Sequence, residues 1–187
     1  MILLEQLRIP YLLKEIKRSG KVGERNESTA EHTFSTITLS EYFLKLHPKI
    51  NERKVTKMII YHDYVEIYAG DSDILNESAR QNKIEEEKKA FEKLKKELPK
   101  KISADFELVW TEYLENKTIE SKFAHAMDAL DPILQSIHQK EEWAEKGYTE
   151  EKLRKYKQHY FEEFPILLKF FNEMIKELHK KKIIPKE

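Results

Sequence analysis

Apolar residues recur mostly at three- and four-residue spacing along the chain, the period of an amphipathic helix. That pattern predicts helices near residues 2–17, 29–46, 52–68, 76–97, 103–115, 118–145 and 149–181, and therefore an all-α fold. Several boundaries have local causes. Ser28 is placed to cap the second helix, and Glu31 three residues later completes a capping-box pattern ahead of Phe34 and Ile37. Asn51, Ser103 and Thr149 are expected to cap the third, fifth and seventh helices. Pro99 and Gly147 stand where helices should stop, and Pro132, inside a helical pattern, predicts a kink or a break.

With 187 residues the chain suits one domain with a single sizeable core. The charge-rich stretch 83–101 reads as a solvated helix with Glu and Lys at supporting spacings. Near the C-terminus, Tyr160, Phe164, Leu167, Leu168, Phe171, Ile175 and Leu178 share one broad face, suited to the core or to a dimer contact.

Charge narrows the partners. Lys plus Arg is 34 and Asp plus Glu is 34, which argues against a basic nucleic-acid-binding surface. Without cysteine there is neither a disulfide framework nor a thiolate metal site, which leaves His and carboxylates as ligands and fits a reducing cytoplasm. The start, MILLEQLRIPYLLKEIKR, lacks a signal-peptide layout, and no apolar run approaches the roughly 20 residues that span a bilayer. A soluble, cytoplasmic protein is expected.

The chemistry concentrates in three segments. His62 and Asp63 sit inside the apolar-rich run MIIYHDYVEIY, about 100° apart around a helix axis, with Glu66 one turn beyond His62. Burying these groups among Met58, Ile59, Ile60 and Val65 is costly unless they are paired or bind metal. A core histidine satisfied by its neighbouring aspartate explains this run equally well. Upstream, RNESTAEH places His32 one turn into a capped helix, where it could face the same groove. Downstream, KFAHAMDALDPIL puts Asp128 on a long apolar helix, with Asp131 as its competitor and His125 as a rim or supporting group.

Taken in order, RNESTAEH at 25–32, IIYHDYVEIYAGD at 59–71 and KFAHAMDALDPIL at 122–134 resemble the HD-domain phosphohydrolases, whose metal ligands run His, His-Asp, Asp. The similarity is greatest to the compact 5′-deoxynucleotidase-like branch. It implies an HD-type helical bundle with a motif-bearing core over about 12–143 and a C-terminal helix near 149–181. It further implies one divalent ion (Mn, Co, Zn, Ni, Fe or Mg) on His32, His62, Asp63 and Asp128. Glu66 and Asp71 are then the catalytic acids or bases, and Arg18 and Arg25 lie near the phosphate. Two features depart from the branch: Arg18 is followed by Ser19-Gly20-Lys21-Val22 rather than by a tryptophan, and His125 stands where several relatives have lysine.

The expected reaction is metal-dependent release of phosphate from deoxyribonucleoside 5′-monophosphates by a homodimer that binds neither nucleic acid nor membrane. Competing readings are an HD-type phosphodiesterase, a nucleoside triphosphate or alarmone hydrolase, and a noncatalytic metal- or nucleotide-binding interaction module.

Overall fold

In the computed structural model of the chain, residues 2–71, 77–140 and 143–185 are described, with side chains from residue 83 onward in the second stretch. Helices α1 (Leu3–Arg8), α2 (Thr29–Lys45), α3 (Glu52–Tyr61), α4 (Glu66–Ala69), α5 (Glu77–Glu97), α6 (Lys100–Glu115), α7 (Ile119–Gln139), α8 (Glu150–Lys157) and α9 (Pro165–Lys180) form the fold. A two-stranded antiparallel hairpin, β1 (Lys17–Val22) and β2 (Arg25–Ser28), joins α1 to α2. The all-α expectation holds, with this hairpin as its addition.

Helix α7 is the centre of the fold. Phe123, Ala124, Ala126, Met127, Leu130 and Ile133 are all fully buried, so the helix is apolar on most of its circumference, as an interior helix must be. It packs against α2, α3, α6, α9 and β1. A second cluster, built from Ile9, Leu13, Tyr64, Val65, Leu94, Leu98, Phe106 and Trp110, ties the N-terminal segment to α5 and α6.

Caps behave unevenly against expectation. Ser28, Asn51 and Thr149 each accept a backbone N–H at the start of α2, α3 and α8. Ser103 does not cap: α6 begins at Lys100 behind Pro99, and the Ser103 hydroxyl donates to the Lys95 carbonyl at 2.8 Å. Pro132 does not break α7, which runs on to Gln139 and ends where Lys140 takes a left-handed φ of 54°. The ring removes one helical N–H donor, and nearby the buried Lys157 ammonium donates to the Ala129 carbonyl at 3.1 Å.

Three helices expected from periodicity are interrupted. The first stops at Arg8, tightens into a 3-10 segment (Ile9–Lys14) carrying Pro10, and gives way to β1. The third ends at Tyr61 and continues as a 3-10 turn, His62–Val65, before α4. The last ends as α8 at Lys157, passes through a 3-10 turn (Gln158–Tyr160) and resumes at Pro165, whose ring forces the preceding Phe164 out of the helical region to φ −123° and ψ 88°. The apolar face of the C-terminal stretch is core: Phe164, Leu167, Phe171, Ile175 and Leu178 are buried. Nor is α5 simply solvated, because Ala90, Phe91 and Leu94 are buried and Phe91 stacks on Trp110 at 4.3 Å.

Candidate active site

Five elements, α2, the 3-10 turn after α3, α4, α7 and β1, deliver the chemical groups to one place. The capping box on Ser28 and Glu31 starts α2 and sets His32 one turn in, fully buried against α7. The 3-10 turn after α3 carries His62 and Asp63, and α4 follows with Glu66. Gly70, at φ 75°, ends α4 in a conformation that a side chain would strain, and Asp71 comes next. Arg18 comes from β1, whose position is held by Gln135 and Gln139 of α7, bonded to the Lys21 carbonyl and the Gly23 N–H.

His32, His62 and Asp63 offer ligand atoms within 4.8 Å of one another. Asp128 Oδ1 lies 2.9 Å from His32 Nε2 and 3.5 Å from His62 Nε2. The Nδ1–H of His62 donates to the Ile59 carbonyl at 2.8 Å, which leaves Nε2 as the lone-pair nitrogen. That Nε2 is buried and makes no hydrogen bond among the described residues, although Asp63 Oδ1 is 3.1 Å away. The contact is close but not aligned as a hydrogen bond. A buried lone pair facing carboxylate oxygens is repulsive unless a cation or proton lies between them, so this donor set fits a divalent metal.

The electrostatics point the same way. Burial works against protonating His62, yet Asp63 and Asp128 outweigh it and hold its pKa well above the usual value. Burial and Arg18 oppose the charge on His32, but the bonds to Asp128 and Asp131 raise it to about 9. The centre demands positive charge, and a proton supplies it when metal does not.

Arg18 Nη1 lies 3.2 Å from Asp63 Oδ2 and 3.5 Å from both Glu66 Oε1 and Asp71 Oδ1. Burial disfavours its charge, but those carboxylates outweigh the penalty and raise the guanidinium further. Glu66 is buried, accepts the Thr29 hydroxyl at 2.9 Å, and is raised to about 8 by burial and by Asp63. Burial, with Asp131 adding to it, lifts Glu27 to about 7. Arg18, Glu27, Asp63, Glu66, Asp71 and Asp128 line one cleft of about 410 Å³.

Arg25 is the site residue that the structure does not bring to this cleft. It lies exposed at the start of β2, paired with Glu31 at 2.5 Å, along a separate groove with Phe34. His125 is also elsewhere: its Nε2 bonds the Tyr113 carbonyl at 3.0 Å and its ring stacks on Tyr113 at 3.8 Å. Asp131 sits on the opposite nitrogen of His32 from Asp128. Lys83, Glu87, Trp143 and Tyr148 also line the cleft. The first two were hidden in the charged run of α5, and no spacing signal marked the aromatic pair.

Residues 12–167 match the HD domain family. The chain belongs to the HD domain family. Curated relatives include the 5′-deoxynucleotidase HDDC2 of Xenopus laevis, 28% identical over 74% of this chain and 70% of that protein. The human 5′-deoxynucleotidase HDDC2 is 25% identical over 72% of this chain and 66% of its own length. Among solved structures, a predicted metal-dependent phosphohydrolase from Magnetospirillum magnetotacticum superposes with a TM-score of 0.83 at 27% identity, covering 97% of both chains. An HD-domain phosphohydrolase of Listeria innocua shares the fold, with a TM-score of 0.67 at 21% identity over 95% of this chain and 90% of its own. In this HD-domain chain, the His/Asp cluster is where a divalent metal can bind.

Proposed function

We propose that this chain, acting as one domain, is a metal-dependent phosphomonoesterase that releases phosphate from deoxyribonucleoside 5′-monophosphates. The observation that carries the reading is the convergence of two imidazoles and two carboxylates with Glu66, Asp71 and Arg18 around one cleft. Similarity to 5′-deoxynucleotidases supports the choice of substrate. His32, His62, Asp63 and Asp128 would hold one divalent ion, and the two imidazoles favour a transition metal over magnesium. When bound, such an ion supplies Lewis acidity toward water and the phosphoryl group.

The protein's own groups do the rest. Glu66, fixed by Thr29, accepts a proton from the attacking water. Asp71 orients that water in line with the phosphoryl group or passes its proton on. Arg18 turns its planar fork from the carboxylates onto phosphate oxygens, a geometry that lysine does not reproduce. The small Ser19 and Gly20 line the cleft beside it and leave sugar and base contacts to other lining residues, among them Gln135 and Tyr160.

No helix of the described residues is long and apolar enough to cross a membrane. A cytoplasmic homodimer completes the reading, and a monomer by light scattering at micromolar concentration would remove the dimer. The deciding experiment strips the metal, restores Mn, Co, Zn or Mg separately, and measures phosphate release from ribo- and deoxyribonucleoside 5′-monophosphates, with Asp63→Asn as control. Metal-dependent release that disappears in the control supports the reading. Folded, metal-loaded protein that releases none sinks it in favour of phosphodiester, triphosphate or binding-only activity.

A further inference from the structure

The imidazole of His32 is held from both edges by carboxylates of one helix. Asp128 Oδ1 is 2.9 Å from Nε2, and Asp131 Oδ2 is 2.8 Å from Nδ1. The two aspartates stand three residues apart on one face of α7, the spacing at which helical neighbours reach the same target. Their surroundings differ. The Asp128 side chain is 31% exposed and lines the cleft, whereas the side chains of Asp131 and His32 are 6% and 0% exposed. A carboxylate buried that deeply is costly unless it is bonded, and Asp131 is bonded to the nitrogen that faces away from the other ligands. The two ring nitrogens project in different directions, so a group on Nδ1 is not placed to share an ion held on Nε2.

We infer that Asp131 is a positioning residue for the metal centre: by accepting the Nδ1–H of His32, it fixes the tautomer and plane of the ring so that Nε2 presents its lone pair to the ion. The inference rests on the metal-site reading above. His62 has the equivalent support from a neutral group, the Ile59 carbonyl at 2.8 Å. The two imidazoles are therefore unequal donors. The carboxylate behind His32 raises the basicity of its ring, and the carbonyl behind His62 does so less. One helix thus supplies a ligand and the residue that aims another ligand. Substitution at Asp131 should alter metal binding without removing any atom from the ion's own shell.

The test uses the metal-stripped full chain, with Asp131→Ala and Asp131→Asn beside the parent, titrated calorimetrically with Mn, Co or Zn. Asp131→Ala is expected to lose about 10–100-fold in metal affinity, the usual cost of removing an outer partner of a ligating histidine. Asp131→Asn keeps an oxygen that can accept the Nδ1–H and should recover part of that loss. In Zn-loaded parent, nitrogen-15 NMR should show the His32 proton on Nδ1.

Three results would overturn the inference: affinity in Asp131→Ala within about threefold of a metal-binding parent, equal losses in the two variants, or the His32 proton on Nε2. If the alanine variant fails to fold, the asparagine variant and the NMR measurement decide. A parent that binds no metal defeats the metal-site reading itself, a result distinct from a metal-binding parent indifferent to Asp131.

Discussion

The Nδ1–H of His62 donates to the Ile59 carbonyl at 2.8 Å, and the opposite nitrogen of the same ring is buried without a hydrogen-bond partner among the described residues. A backbone carbonyl three residues back thus selects the tautomer, and the 3-10 turn that begins at His62 sets the direction of the ring. Replacing the ring should remove a metal ligand outright. His62→Gln is expected to lose more metal affinity, by calorimetry, than the roughly 10–100-fold typical of an outer partner. It should also lose the thermal stabilisation that metal gives the parent, about 2.7 kcal/mol at one hundred times the dissociation constant. Unchanged affinity would remove His62 from the ligand set.

Arg18 and Arg25, alike in the sequence, part company in the structure. Arg18 reaches Asp63, Glu66 and Asp71 in the cleft, while Arg25 bonds Glu31 outside it. Arg18→Ala should raise KM and lower kcat, and Arg18→Lys should restore little, because a point charge lacks the planar fork. Arg25→Ala should leave turnover within about twofold of the parent, as expected for an exposed pair. Steady-state kinetics of the three variants check this, and a large loss in Arg25→Ala with normal kinetics in Arg18→Ala would reverse the assignment.

The contrast shows what sequence pattern can and cannot carry. His32, His62, Asp63 and Asp128 drew attention as polar groups set among apolar residues, where burial demands a partner, but it was the resemblance to the HD-domain phosphohydrolases that implied them as one ligand set. The hairpin that holds Arg18 was not legible, since Arg18-Ser19-Gly20-Lys21 lacks an apolar alternation and β1 is pinned by glutamine side chains from α7, more than a hundred residues away in sequence. Asp131 appeared as a rival ligand because spacing places it beside Asp128 but does not say which nitrogen of His32 it meets. Lys83 and Glu87 were lost in the charged run of α5, where helical periodicity alone cannot separate a cleft-lining pair from a solvated one.

Glu66 accepts the Thr29 hydroxyl at 2.9 Å on one oxygen and faces Arg18 with the other. This geometry holds the carboxylate still without placing it in the ligand cluster. Glu66→Gln should therefore keep metal affinity while kcat falls by about 10²–10⁴, the usual contribution of a positioned general base. Normal turnover in a folded, metal-loaded variant would end the proton-transfer role.

Ser28 connects the stability of α2 to the placement of His32. Its hydroxyl accepts the Glu31 N–H, and the Glu31 carboxylate returns to the Ser28 N–H at 2.9 Å. Ser28→Ala should cost about 0.5–2 kcal/mol of stability, and thermal melting of the metal-free protein measures it. Because His32 lies one turn inside the frayed end, metal affinity should fall as well, by less than in His62→Gln. A variant with parental melting would show that tertiary packing alone sets the start of the helix.

Glu150 at the start of α8 bonds His179 near the end of α9 at 2.6 Å and pairs with Arg154 of its own helix at 2.7 Å. The bonds to His179 and Arg154 hold the Glu150 carboxyl below its ordinary 4.5. A carboxylate depressed on folding contributes stability that is fully present above its unfolded pKa and is lost as pH falls toward the folded value. The contribution is therefore intact at pH 7 and should fade in the acid range below about 4.5. Glu150→Gln removes the titrating group while keeping a hydrogen-bonding side chain. Its melting temperature should lie below that of the parent at neutral pH and fall less steeply on acidification, so that the two curves converge. Parallel curves through that range would mean that the α8–α9 pair contributes nothing that depends on the proton.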